Sequence, residues 1–117
     1  MSKKIMIVDD DPVITKYLDT LFKDHGFTTC IAVNGKQALD LFKQDKPDLI
    51  TLDLEMPEEW GPRFFRKVSK IKDFHTPVIV ISGLQGQQYS IPKAAASFAK
   101  PFDSDDLISC VDKILGR

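Results

Sequence analysis

Short apolar runs rich in β-branched residues recur along the chain at Ile5-Met6-Ile7-Val8, from Thr28 to Ala32, at Leu49-Ile50-Thr51-Leu52 and at Val78-Ile79-Val80-Ile81, with a weaker one at Ser97-Phe98-Ala99. Apolar residues at successive positions predict strands buried on both faces, as in a parallel sheet. Between the runs, apolar residues recur at helical spacing. Asp11 before Pro12 is an N-cap followed by proline at the first helical position, and Val13, Ile14, Tyr17, Leu18, Leu21 and Phe22 then form one stripe that stops before Gly26. Asn34 caps a second helix carrying Ala38, Leu39 and Phe42 and ended by Pro47. A third begins near Gly61-Pro62 with Phe64, Phe65, Val68 and Ile71. The last begins at Asp103-Ser104 and presents Leu107, Ile108, Val111, Ile114 and Leu115 before Gly116.

The stretch from Gln85 to Ala96 is the weak part of the pattern. Gly86, Pro92 and adjacent polar residues there predict a short or irregular fourth helix, since proline breaks a helix interior. The alternation otherwise predicts an α/β fold. Right-handed crossovers between parallel strands give a doubly wound five-stranded sheet with helices on both faces, and the chain length favours the flavodoxin-like order 2-1-3-4-5.

Composition narrows the function. The 117 residues fit one domain, expected over 1–117 with no output domain attached. Sixteen Lys plus Arg against 17 Asp plus Glu leave a net charge of -1, which offers no surplus for binding nucleic acid in bulk. No apolar run reaches the roughly 18 residues of a membrane span, and the Met1-Ser2-Lys3-Lys4 start is not a signal peptide, so the expected location is cytoplasmic. Cys30 and Cys110 lie far apart without a CxxC or histidine partner and read as small buried hydrophobes rather than a disulfide or zinc site.

In a doubly wound sheet, ligands bind beyond the carboxyl ends of the strands, at the switch point. The pattern puts Asp9, Asp10 and Asp11 after strand 1, Asp53 at the end of strand 3, Ser82 and Gly83 after strand 4, and Lys100 after strand 5. Asp9, Asp10 and Asp53 stay ionised side by side only with a cation to offset them, and carboxylate oxygens favour Mg²⁺ or Mn²⁺. An Asp9-Asp10-Asp11-Pro12 turn lacks the glycines and free N–H groups of a nucleotide phosphate loop. The group set suits a phosphoryl group on Asp53. Its carboxylate is a nucleophile toward phosphorus, and the metal, the Lys100 ammonium and the Ser82 hydroxyl can each take an equatorial oxygen, with Gly83 leaving room for approach. Taken singly, Asp9 or Asp10 is an ordinary solvated loop acid, Asp53 a turn residue, Lys100 a surface lysine, and Asp11 only an N-cap. Their joint placement at four strand ends carries the functional reading.

The segments Ile7-Val8-Asp9-Asp10-Asp11-Pro12, Asp48 to Pro57 with Gly61, Pro77 to Gly83, and Phe98-Ala99-Lys100-Pro101-Phe102 together resemble a response-regulator receiver domain of the stand-alone, chemotaxis-regulator type, over Lys4 to Leu115. The resemblance implies that a histidine kinase or phosphotransfer protein delivers a phosphoryl group to Asp53. Asp10 and Asp53 would ligate Mg²⁺ directly, Asp9 through water, and the Glu55 backbone carbonyl would add a ligand. Ser82 and Lys100 would bind the phosphoryl group. Such a domain catalyses its own phosphorylation and dephosphorylation and is a switch toward a downstream protein target, not a turnover enzyme; a monomer or weak dimer is expected. Three departures stand out. Ser97 occupies the usual Tyr or Phe position, and the adjacent Phe98 points to the opposite strand face and into the core. The spacing from Ser82 to Lys100 is short, and Ala94-Ala95-Ala96 replaces a glycine-alanine pair.

By analogy Glu55 and Leu84 border the phosphoryl group and tune water access. Trp60 either packs against the third helix or helps gate and report on the site. His25 and His75 read as surface residues. Two other functions compete with the phosphoacceptor: a degenerate receiver that binds a partner without phosphorylation, and an aspartate-nucleophile phosphohydrolase. The retained acids and Lys100 oppose the first. Met56-Pro57 after Glu55, and the lack of a cap domain, oppose the second.

Overall fold

The computed structural model describes residues 2–83 and 93–117. β1 (Lys4–Val8), β2 (Thr28–Ala32), β3 (Leu49–Leu52), β4 (Val78–Ser82) and β5 (Ala96–Ala99) form one sheet in the order β2-β1-β3-β4-β5, parallel at every pairing. This is the order expected from the alternation. The connections are α1 (Pro12–Asp24), α2 (Gly35–Asp45), a 3₁₀ turn at Pro57–Glu59 running into α3 (Trp60–Ser69), and, after β5, α4 (Ser104–Leu115).

The two-residue period of the strands sorts their side chains between two cores. Ile5, Ile7, Leu49, Ile79 and Ile81 pack with Leu18 and Phe22 of α1 and Leu107, Ile108 and Val111 of α4. Met6, Val8, Ile50, Leu52, Val78 and Val80 pack on the other side with Ala38 of α2 and Phe64, Phe65 and Val68 of α3. Thr51, paired beside Ile7 and Ile79, is the exception in this interior: it is buried, and its hydroxyl has no hydrogen-bond partner among the described residues. On β5, Phe98 joins the α1/α4 core as expected, while Ser97 is exposed on the opposite face.

Caps follow the sequence signals. Asp11 accepts from the Val13 N–H at 2.9 Å, Asn34 from the Gln37 N–H at 2.8 Å, and Asp103 from the N–H groups of Asp105 and Asp106. Several expectations need correction. Val13 and Tyr17 are not part of the core stripe of α1: they are 73% and 47% exposed, and Thr15 is buried in their place, its hydroxyl returned to the Pro12 carbonyl. An apolar residue at i+3 or i+4 spacing can lie on the flank of a helix, and only packing decides which flank is covered. α3 starts at Trp60 and stops at Ser69, so Ile71 packs on the core from beyond the helix. The two cysteines are free but only partly buried; burial and the neighbouring Asp45 push the Cys30 thiol up to about 11, which leaves it protonated and inert. The expected short fourth helix within 85–96 and the expected role of Leu84 lie outside the described residues as far as residue 92, and residues 93–95 are not helical.

Candidate functional site

The site is built where the sheet's backbone ladder runs one residue past the strand ends. The Asp9 N–H donates to the Ala32 carbonyl at 3.1 Å, the Asp53 N–H to the Val8 carbonyl at 2.9 Å, and the Lys100 N–H to the Ser82 carbonyl at 2.9 Å. Each functional residue is therefore still held by a neighbouring strand although it lies outside its own. Ser82 is the last residue of β4 itself.

These ladders bring the acids together. One carboxylate oxygen from each of Asp9, Asp10 and Asp53 lies within 4.8 Å of the others, the first and last buried and Asp10 exposed. Lys100 bridges the buried pair, with its ammonium 2.9 Å from Asp9 and 3.6 Å from Asp53. Asp53 Oδ1 also accepts from the Glu55 N–H at 3.1 Å and the Ser82 hydroxyl at 3.3 Å, and Asp9 Oδ1 accepts from the Asp11 N–H at 2.9 Å.

The electrostatics of the cluster are set by burial. Loss of water raises the Asp9 carboxyl above its ordinary value, against the lowering pull of its bonds to Asp11 and Lys100. Asp53 is raised too, first by burial and then by the repulsion of Asp9. Burial alone would draw the Lys100 ammonium down, but its bond to Asp9 and the charges of Asp9 and Asp53 outweigh that and leave it raised. One lysine thus serves two buried acids with a third beside them. That is a site short of positive charge, and its donor set of hard carboxylate oxygens fits a small divalent cation such as Mg²⁺.

Two close contacts fix the loop after β3. A Cβ at Gly61 would lie 2.5 Å from Leu54 Cα and 2.6 Å from the Asp53 carbonyl oxygen, so the start of α3 rests directly on the backbone of the acceptor loop. A Cβ at Gly35 would lie 1.9 Å from Trp60 Cε3: the indole lies against the start of α2, with the Arg63 guanidinium 4.2 Å from the ring centroid. Trp60 therefore packs against both α2 and its own helix. The space left by the missing side chain at Gly83 is filled by the Glu55 carboxylate, 2.6 Å from where a Cβ would stand, so that space is not open as expected. His25 and His75 are exposed and outside the cluster.

Sequence reading did not find the exposed Val13 and Tyr17 beside the acid turn, the contact of Trp60 with Gly35, or the unpaired Thr51 hydroxyl. The first two depend on which helix flanks meet, and the third on a threonine whose β-branched shape suits a strand whether or not its hydroxyl is paired.

Comparison with known proteins agrees with this arrangement. The family model for the response regulator receiver domain matches residues 5–112. The sporulation initiation phosphotransferase F of Bacillus subtilis is 36% identical, over 98% of this chain and 95% of its own length. The chemotaxis protein CheY of Bacillus subtilis is 31% identical, over 98% and 99%. Among solved structures, the receiver domain of the Francisella response regulator 1452 superposes with a TM-score of 0.85 at 30% identity, covering 99% of this chain and 98% of that one. The chain belongs to the receiver domain family of two-component response regulators. Among its described residues, no helix is long and apolar enough to cross a membrane.

Proposed function

We propose that the chain is a phosphoacceptor receiver in which Asp53 takes a phosphoryl group from the phosphohistidine of a histidine kinase or phosphotransfer protein, and that the change is read by a downstream protein. The observation that carries this reading is the Lys100 ammonium held between two buried carboxylates at 2.9 and 3.6 Å. Desolvating three charges without a task is costly, and a module that only binds a partner has no need of them.

Asp9, Asp10 and Asp53, with the Glu55 backbone carbonyl, would hold Mg²⁺ (Mn²⁺ fits the same donors). The bound ion would supply positive charge for the developing equatorial oxygens. An Asp53 carboxylate oxygen attacks phosphorus as the P–N bond to the donor imidazole breaks, and the imidazole leaves with that electron pair. Lys100 exchanges its bond to Asp53 for a phosphoryl oxygen, and the Ser82 hydroxyl, already turned toward Asp53, does the same. Hydrolysis later returns the carboxylate, so the domain completes a cycle on itself without processing a free substrate. The Glu55 carboxylate over Gly83 must swing aside for the group to enter, which gives it a hand in setting access. The exposed Val13 and Tyr17, about one and two turns beyond Asp10, offer the donor protein an apolar landing beside the acceptor.

Incubation with Mg²⁺ and phosphoramidate followed by intact-mass measurement tests the reading. A single adduct of about 80 Da, one phosphoryl group, is expected on the wild type and absent from Asp53→Asn. No adduct on the wild type, or an equal one on the variant, overturns it.

A further inference from the structure

Away from the acid cluster, α3 and the residues just after it carry a run of positive charge. Arg63, Arg66 and Lys67 on α3 and Lys70, the first residue past its end, stand at i, i+3, i+4 and i+7, which places them on one stripe about 10 Å long, with Lys72 just beyond it. Arg66, Lys67, Lys70 and Lys72 are exposed, and no acid lies between Trp60 and Lys72. Among the described residues none of the five forms a salt bridge, although the lysines at 4, 23 and 100 all do. Arg63 and Lys67 instead stand over the Trp60 ring, at 4.2 and 5.6 Å. Like charges three and four residues apart repel one another along a helix; the ring contacts of Arg63 and Lys67 and the bond from Arg63 to the Glu58 carbonyl offset this at one end of the stripe, while Arg66, Lys70 and Lys72 make no such side-chain contact among the described residues.

We infer that this stripe is a docking surface for an acidic segment of a partner protein. Charge complementarity selects the occupant, and the surroundings separate it from other polyanions. Exposed Glu58 and Asp73 close the two ends of the stripe, so a short run of Asp and Glu side chains fits between them. A nucleic acid backbone continuing past either end meets those acids, and the chain's net charge of -1 gives it no wider attraction. A lipid surface needs apolar side chains to bury, and among the described residues the exposed large ones, Val13, Tyr17, Ile31 and Val33, lie off α3. Trp60 is the chain's single tryptophan and lies under two of the basic groups, so it reports occupancy directly.

The test is a titration of the intact protein with an end-blocked glutamate peptide of about eight residues, long enough to span the stripe when extended at about 3.3 Å per residue. Trp60 fluorescence and calorimetry at low ionic strength are the readouts. Saturable one-to-one binding with Kd below about 1 mM is expected, weakened about tenfold or more by Arg66→Glu with Lys70→Glu and by added salt. Lys113→Glu, an exposed lysine on α4, changes net charge without touching the stripe and should alter Kd less than about twofold. If the double reversal does not fold, Arg66→Gln with Lys70→Gln takes its place. Absence of saturable binding, equal weakening by Lys113→Glu, or tighter binding of an oligothymidylate of similar length or of phosphatidylserine vesicles overturns the inference.

Discussion

Replacing Asp53 by asparagine removes one charge from the acid cluster yet leaves an oxygen to accept from the Glu55 N–H and the Ser82 hydroxyl. At an effective dielectric of about 20, the Lys100 ammonium 3.6 Å away attracts the Asp53 carboxylate by about 5 kcal/mol. Repulsion from Asp9 across at most 4.8 Å returns about 3 kcal/mol or more. The exposed Asp10, screened by solvent, returns about 1 kcal/mol. The charge terms nearly cancel, and the cost of taking the carboxylate out of water, several kcal/mol, is left against two hydrogen bonds of about 1.5–2 kcal/mol each. Asp53→Asn should therefore stabilise the metal-free protein by about 1–2 kcal/mol, or about 5 °C and upward in Tm for a domain of this size. Calorimetry in EDTA at neutral pH, with urea unfolding as a second measure, reads this directly. The pH dependence carries its own sign. Because folding raises the Asp53 carboxyl above 3.8, the folded state holds the proton more tightly than the unfolded one; the acid's destabilising effect sets in as pH rises from 3.8 and is complete above the raised value. The variant's advantage should thus be largest above the raised value and shrink as pH falls toward 3.8. Mg²⁺ should stabilise the wild type more than the variant and narrow the gap. A variant no more stable than wild type in EDTA refutes the reasoning, because it would mean that the Lys100 contact more than offsets burial.

Other substitutions probe the remaining contacts. Thr51→Val removes a buried hydroxyl that has no partner among the described residues and should raise stability by about 1 kcal/mol, seen as a higher urea midpoint at unchanged slope; a loss of stability would mean the hydroxyl is satisfied in solution. Gly61→Ala drives a methyl into the Asp53 carbonyl and Leu54 backbone, neither of which can yield, and should cost about 2–3 kcal/mol and slow phosphorylation of Asp53 by phosphoramidate. Gly35→Ala should displace the Trp60 ring, shifting its emission to the red, at a cost of about 1–3 kcal/mol; unchanged emission would place the ring elsewhere.

Most of the architecture was legible because its signals are local. Proline after Asp11, the Asn34 and Asp103 caps, and unbroken apolar runs such as Val78 to Ile81 report on their own segments, and the α/β alternation then restricts the strand order. The cluster was legible for a related reason: residues at strand ends meet at one sheet edge whatever the packing. What escaped was decided between elements. Val13 and Tyr17 have the same spacing as Leu18 and Phe22, and only the seating of α1 on the sheet leaves one pair in solvent. Glu55 over Gly83 and Trp60 on Gly35 join residues 28 and 25 positions apart, beyond the reach of any periodicity. The basic stripe of α3 was visible as spacing but hidden in a balanced total of charges.

The contact between Trp60 and Gly35 also limits how relatives of this chain can vary. A bulky ring at 60 demands a bare backbone at 35, so neither position is free to drift alone. A smaller residue at 60 lifts the restriction and lets 35 regain a side chain, which should restore helix propensity at the start of α2. The two positions should change as a pair, with Trp60→Leu rescuing Gly35→Ala. Position 61 has no such partner, because what it meets is the main chain of Asp53 and Leu54, which every sequence carries. Drift at the first pair is therefore reversible, while glycine at 61 is a fixed condition of keeping the acceptor loop where it is.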